Sequence, residues 1–273
     1  MFNFIYLKAY GDFIILLNTL KCTENYEYSI VAGQHLKDLY DSLDCNFNIK
    51  FLNTGNSLPA IYDIKDCGLA QSLSSFVSVR NEFLNRLNLN TDKLVFDSIG
   101  FREFLLGRNF QCFAINKENT NIYQNYFDFF GLRSKCVIQK RISNKKVYIF
   151  PESRVTSKSI SENNVRTLAK KLLSLNLEPI VVRFNRSSIS PLIYSSCLLY
   201  HDFYSLTSII RSGGLIISCD SLPAHLAEYY NLPIFVLNNF PNKYWLPYSS
   251  YINNNWCLTN DFNKITRWVN AHT

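Results

Sequence analysis

Glycine is scarce in this chain, nine in 273 residues, and no two of them stand in a G-x-G arrangement. The glycine fingerprint of a dinucleotide-binding turn is therefore missing, which disfavours a nicotinamide or flavin oxidoreductase. Eight cysteines are scattered at 22, 45, 67, 112, 136, 197, 219 and 257, with no CxxC pair. No Cys/His spacing suits zinc, so no metal site is expected, and the cysteines read as free thiols of a reducing compartment. No uninterrupted apolar run approaches the roughly 20 residues of a membrane span. The N-terminal MFNFIYLKAYGDFIILLNTLK is apolar, but Lys8, Gly11 and Asp12 interrupt it and no small-residue cleavage site follows, so no secretory signal is expected. The expected location is cytoplasmic.

What is present is the composition of a globular protein, 47% hydrophobic and 18% charged, long enough for one large or two ordinary domains. The net charge of +7 suits an anionic partner: a sugar nucleotide, a phosphorylated glycolipid, an anionic membrane surface or nucleic acid. No nucleic-acid module signature is visible, so nucleic acid is set aside. Basic residues gather at 132–146 and at Arg183, Arg186 and Arg211. They can equally be a solvated face and a linker.

Periodicity predicts two α/β halves. The first has strands at 2–8, 28–33, 48–53, 93–98 and 110–115, and helical stretches near 12–21, 34–43, 69–88, 101–107 and 121–131. A polar, basic stretch at 139–146 reads as the linker. The second has strands at 146–151, 178–184 and 197–200, helices near 161–175 and 204–213 and another ending near 196, then a βαβ unit and a closing helix at 261–271. Alternation of this kind implies parallel sheets flanked by helices. The expected domains are 1–143 and 144–260, followed by the terminal helix 261–273.

The βαβ unit LIISCDSLPAHLAEYYNLPIFVL, 215–237, is the most informative stretch. Its first apolar run stops at Asp220, Ser221 can cap the following helix, Pro223 suits the first turn and NLP at 231–233 ends it. Such a loop faces the carboxyl edge of a parallel sheet, where a helix N-terminus offers amides and partial positive charge to a phosphate. His225, one turn into the helix, is expected to point back beside Asp220. Asp220 as a turn cap and His225 as a packing residue remain the structural alternatives.

Three segments, YLKAYGD (6–12), YIFPESRVTSKSISENNVRTLAKKLLSLNLEPIVV (148–182) and YSLTSIIRSGGLIISCDSLPAHLAEYYNLPIFVLNN (204–239), resemble in order and spacing glycosyltransferase family 9, the ADP-heptose:lipopolysaccharide heptosyltransferases. The match is diffuse over the N-terminal half and good from about 146 to 240. The resemblance implies the GT-B fold, an α/β architecture of two Rossmann-like domains with parallel sheets facing across a cleft. It also implies metal-independent, cofactor-free, inverting transfer of a sugar from a nucleotide-sugar to a lipopolysaccharide core, capsule or related bacterial surface glycan. The acceptor would be a glycolipid or polysaccharide, with peripheral contact at the inner face of the inner membrane.

Carried over by position, Asp12 is the general base that takes the acceptor proton. Gly11 is expected to permit a sharp bend there, and a capping role for Asp12 is the alternative. Lys158 neutralises the donor diphosphate, helped by Ser153, Arg154, Thr156 and Ser157, and the loop Asp220, Ser221, Leu222 and His225 holds the nucleotide-sugar. Lys8 and Arg102 are expected on the acceptor side. His35, His201 and His272 match nothing.

The sequence departs from the family at three places. Leu222 stands where a glycine usually lets the backbone approach the ligand, and Lys8 replaces an arginine. The loop NRSSIS, 185–190, carries no acid where a glutamate usually meets the donor. A different nucleotide-sugar donor, or a binding module of the same fold without turnover, therefore stand as alternatives.

Overall fold

The computed structural model describes residues 2–23, 28–52, 68–88, 92–115, 117–132, 144–185, 196–259 and 261–273. The chain divides into two compact units, residues 1–118 with 125–132, and residues 119–124 with 133–273.

In the first unit, β1 (Phe2–Tyr6), β2 (Tyr28–Gly33), β3 (Ile49–Leu52), β4 (Lys93–Phe96) and β5 (Gln111–Ala114) form one sheet in the order β3-β2-β1-β4-β5. Every neighbouring pair is parallel. The central strands are near-continuous apolar runs because helices cover both faces of a parallel sheet. The crossovers include α1 (Tyr10–Leu20), α2 (Lys37–Asp41), α3 (Leu69–Arg86) and α4 (Phe101–Leu106). Phe13 to Leu17 of α1 are all buried, so this helix is enclosed by the unit rather than half-exposed on it. Helix α5 (Ile122–Phe129) carries the chain from one unit's residues to the other's.

The second unit holds β6 (Lys146–Phe150), α6 (Glu162–Ser174), β7 (Glu178–Phe184), β8 (Ser196–Tyr200), α7 (Phe203–Arg211), β9 (Leu215–Cys219), α8 (Leu222–Tyr229), β10 (Ile234–Asn238), α9 (Tyr248–Ile252), β11 (Trp256–Leu258) and α10 (Asn263–His272). Its sheet runs β11-β10-β9-β6-β7-β8, again all parallel. Counted from each unit's own first strand, the two sheets share the order 3-2-1-4-5, and the second adds a sixth strand beyond the fifth. That is the dinucleotide-fold order, built twice. Val147, Ile149, Leu168, Leu172, Ile217, Phe235 and Trp268 form the core between this sheet and its covering helices.

Few glycines are needed because asparagine terminates helices. Asn176, Asn231 and Asn254 follow α6, α8 and α9 with φ of 58°, 55° and 55°. The next amides close the ends, Leu177 to the carbonyl of Leu172 at 3.2 Å and Leu232 to that of Ala227 at 2.9 Å. Glycine is indispensable at Gly214, where φ is 137° and a Cβ would lie 2.8 Å from the Tyr148 ring.

The strands and helices expected from periodicity are present to within a few residues wherever they fall on described residues. Helix α1 starts at Tyr10 rather than at residue 12. Helix α9 and strand β11 have no counterpart in the sequence periodicity, because five and three residues are too short to display a period. The helix expected to end near 196 falls outside the described residues, as do Arg186, residues 186–190 of the acid-poor loop, and 133–143 of the basic stretch and linker.

Candidate functional site

Ligands of open parallel sheets bind past the carboxyl ends of the strands, where the strand order reverses. In the first sheet that point lies between β1 and β4, and in the second between β6 and β9.

At the first point, Lys8 leaves the end of β1 and reaches the loop after β4. Its ammonium donates to Asp97 at 3.0 and 3.3 Å and to Ser98 Oγ at 3.4 Å, and lies 3.5 Å from Glu103 of α4. Partial burial draws the Lys8 pKa down, but Asp97, Glu103 and Asp12 outweigh it and the net shift is upward. Lys8 is thus held by acids of its own unit. Asp12 stands in the first turn of α1, where a carboxylate is favoured by the helix dipole. Ala9, not Asp12, occupies the cap position, and Gly11 lies inside the helix, so the chain bends before Gly11 rather than at it. Beneath the carboxylates, the Tyr6 and Tyr126 hydroxyls are hydrogen-bonded. Burial, Tyr126, Asp97 and Asp12 together push the Tyr6 phenol well up.

His35 Nε2 lies 3.0 Å from the Lys8 carbonyl, and burial lowers the ring's pKa. No local motif marks this histidine or Glu103, and these two gather with Asp97 around Lys8 only in the fold. A signal existed for Asp97: VFDS at 95–98 and SCDS at 218–221 both place Asp-Ser after an apolar run. Arg102 is exposed on α4.

At the second point, Phe150 of β6 pairs with Ser218 of β9, so the loops carrying Lys158 and Asp220 leave neighbouring strands in register. Lys158 Nζ donates to Asp220 Oδ2 at 2.7 Å. The Lys158 loop is folded on itself: the Ser153 amide donates to Ser159 Oγ at 3.0 Å, the Ile160 amide to the Pro151 carbonyl at 2.8 Å, and Val155 N to Ser153 Oγ at 3.4 Å. Asn239, after β10, donates to the carbonyls of Ser157 and Ser159 at 2.7 and 3.0 Å. Arg154, Thr156 and Ser157 are exposed beside Lys158.

Ser221 occupies the cap position of α8, but its side chain does not cap the helix. The hydroxyl turns back instead, 3.3 Å from both Ser218 Oγ and the Cys219 carbonyl. Leu222 is the first helical residue, a backbone conformation open to any side chain. His225 is buried, its Nδ1 3.4 Å from the Tyr123 hydroxyl, and its ring packs on Tyr123. Burial brings its pKa down to about 4, with Asp220 opposing the fall and Lys158 adding to it, so it is a neutral imidazole at neutral pH. Glu228, deeper in α8, accepts from the Ser249 amide at 3.0 Å and from its hydroxyl. Burial raises it to about 7 in spite of those bonds.

Arg183 is not available to an anion. It is 6% exposed and donates to Glu152 at 3.0 Å and to Glu162. Sequence position could not reveal this, because both acids belong to other segments. Arg211 stacks over the Tyr230 ring with 5.7 Å to its centroid.

No family model matches the chain, and no curated protein matches it. Solved structures do. E. coli heptosyltransferase WaaC with ADP matches with a TM-score of 0.64 at 10% identity over 100% of both chains. The glycosyl transferase family 9 structure from Veillonella parvula gives 0.64 at 13% identity, over 99% of this chain and 90% of that one. E. coli ADP-heptose LPS heptosyltransferase II gives 0.58 at 11% identity, over 99% and 97%. At such low identity what is shared is architecture. The chain has the GT-B glycosyltransferase fold, in the form adopted by family 9 heptosyltransferases.

Proposed function

We propose that the protein is an inverting, metal-independent glycosyltransferase that moves a sugar from a nucleotide-sugar onto a lipopolysaccharide core, capsule or related bacterial surface glycan. The observation that carries the reading is the Lys158–Asp220 pair at the β6/β9 switch point, beside the first turn of α8. A nucleoside diphosphate leaving group gains charge as the glycosidic bond breaks. A lysine held in place and a helix N-terminus meet that charge without reorganising. Asp12, partly exposed at the carboxyl edge of the first sheet, is the base that takes the proton of the attacking hydroxyl. Ser153, Arg154, Thr156 and Ser157 add donors to the diphosphate, and Asp220 keeps the Lys158 ammonium in position.

ADP-heptose is the leading donor, on the strength of solved relatives described with ADP and with ADP-2-deoxy-2-fluoro heptose. The test is a thermal-shift screen of nucleotide-sugars followed by a transfer assay. A ligand at about a hundred times its dissociation constant should stabilise the fold by roughly 2.7 kcal/mol. A response to UDP-, GDP- or CMP-sugars and not to ADP-sugars would end the heptose assignment.

One observation favours a second reading, a nucleotide-sugar binder without turnover. Leu222 places a bulky side chain on the first turn of α8, where a phosphate would approach. Binding of a nucleotide-sugar with no Asp12-dependent turnover on any glycan acceptor would establish that reading over the first.

A further inference from the structure

Asp12 stands in the first turn of α1, and the cap position of that helix does little to fix where the turn begins. It is occupied by Ala9, whose side chain has no acceptor for the free amides of the first turn. The first helical bond, from the Phe13 amide to the Ala9 carbonyl, is just beyond the usual range at 3.3 Å. A hold comes instead from the neighbouring strand. Tyr6 of β1 pairs with Ala32 of β2, so the turn Gln34–Leu36 that follows β2 arrives beside Lys8, two residues past the end of β1. There His35 Nε2 lies 3.0 Å from the Lys8 carbonyl, and its ring meets that of Tyr10 edge to face with centroids 5.8 Å apart. Lys8 and Tyr10 flank Ala9, so His35 grips both sides of the residue from which α1 starts.

The state of the ring suits a fixed clamp. A carbonyl only accepts, so Nε2 carries the ring's hydrogen. Burial lowers the pKa, with the bond to the Lys8 carbonyl opposing the fall, and the imidazole is neutral at neutral pH. His35 is 7% exposed, and its Nδ1 is buried without a hydrogen-bond partner among the described residues. An unbonded buried nitrogen carries a cost that an apolar side chain would avoid. What the imidazole supplies here beyond packing is therefore the Nε2–H. Lys8 is held at both ends as a result, its carbonyl by His35 and its ammonium by Asp97 and Glu103. The Asp12 carboxylate is close enough to that ammonium for their charges to interact.

We propose that His35 is a positioning residue: through the Lys8 carbonyl and the Tyr10 ring it sets the start of α1, and so the direction in which Asp12 presents its carboxylate to the acceptor hydroxyl. This rests on the transferase reading with Asp12 as base. A base contributes only when its oxygen stands within hydrogen-bond reach of the proton it removes, and a misplacement of about 1 Å can cost on the order of 100-fold.

The test uses the full chain with ADP-heptose as donor and a heptose-free lipopolysaccharide core as acceptor. ADP release gives kcat and KM, and titration calorimetry gives ADP affinity. His35→Phe keeps a buried ring against Tyr10 and removes the donor. It should lower kcat by about 10- to 100-fold while ADP affinity stays within about twofold of wild type. His35→Gln can place an amide N–H where the Nε2–H stands, and should recover kcat to within about threefold of wild type. Packing alone would give no such recovery, since glutamine has no ring. Should His35→Phe melt well below wild type, His35→Asn, whose side chain is too short to reach the Lys8 carbonyl, takes its place. Absence of ADP release, or release that Asp12→Asn leaves unchanged, would overturn the transferase reading and this inference with it. Asp12-dependent release that persists at the wild-type rate in folded His35→Phe or His35→Asn would overturn the inference alone. So would a kcat that His35→Gln fails to recover, or a loss of ADP affinity as large as the loss of kcat.

Discussion

Lys158 and Asp220 are joined across 2.7 Å by side chains that leave two neighbouring parallel strands, and Lys8 and Asp97 make the equivalent pair at 3.0 Å in the other unit. In each case the lysine follows the unit's first strand and the aspartate its fourth. On the transferase reading proposed above, Asp220 orients the Lys158 ammonium for the diphosphate. Lys158→Ala should weaken ADP binding by roughly 10- to 100-fold, the worth of about 1.5–3 kcal/mol for a hydrogen bond to a charged group. Asp220→Asn should weaken it less, because the cation survives and only its anchor is lost. Titration calorimetry separates the two. Stability should barely change in either, since the Lys158 side chain is 36% exposed.

Asp12 is the residue whose loss should affect turnover without affecting donor affinity. Asp12→Asn is expected to lower kcat by about 10²–10⁴-fold, the range for a positioned base, with ADP binding unchanged. Lys8→Met leaves Asp12, Asp97 and Glu103 without their shared cation, so the acidic limb of the kcat/KM profile should move to higher pH. An unmoved limb would mean that Lys8 does not act on the base.

Glu228 makes stability depend on pH in the direction opposite to most carboxylates. Its folded pKa is about 7 against 4.5 for the free group, so the folded state holds a proton that the unfolded state has released. The stabilisation is complete below pH 4.5 and is lost as pH rises through about 7, a decline on the order of 3 kcal/mol. Glu228→Gln should lack this decline in urea unfolding. His225, depressed from 6.5 to about 4, imposes the opposite slope as pH falls through that interval, and this slope should persist in the variant. Parallel pH curves for wild type and Glu228→Gln would refute the assignment.

The asparagines that end helices are open to a direct check. Asn231→Ala places a Cβ residue without a compensating side chain at φ 55°, and should destabilise by about 1 kcal/mol. Asn231→Gly should be neutral or slightly stabilising, since glycine takes that conformation freely. Thermal melts of the two variants should fall on opposite sides of wild type, or at least differ by several degrees.

The order of elements was legible because parallel strands and crossover helices write strong periods into the sequence. The 215–237 stretch carried its strand, helix, stop and acid in plain order, and the structure reproduces them. What escaped was pairing over distance. Local sequence marks Arg183 as an anion site, whereas Glu152 and Glu162, 31 and 21 residues away, hold its guanidinium. Ser221 has the cap position and a capping side chain, yet Ser218 and the Cys219 carbonyl compete for its hydroxyl. His35 and Glu103 are invisible to local reading because what gives them meaning is Lys8.

Helix α5 bears on whether the protein can be taken apart. Residues 119–124 group with the second unit and 125–132 with the first. A fragment ending at 118 would lose Tyr126, the partner of the Tyr6 hydroxyl, and a fragment beginning at 133 would lose Tyr123 from beside His225. It would also lose Asn121, which donates to the carbonyls of Lys243 and Leu246 at 3.2 and 3.0 Å. No single cut therefore yields two intact halves: excision anywhere along this stretch leaves one of them with a gap in its interior.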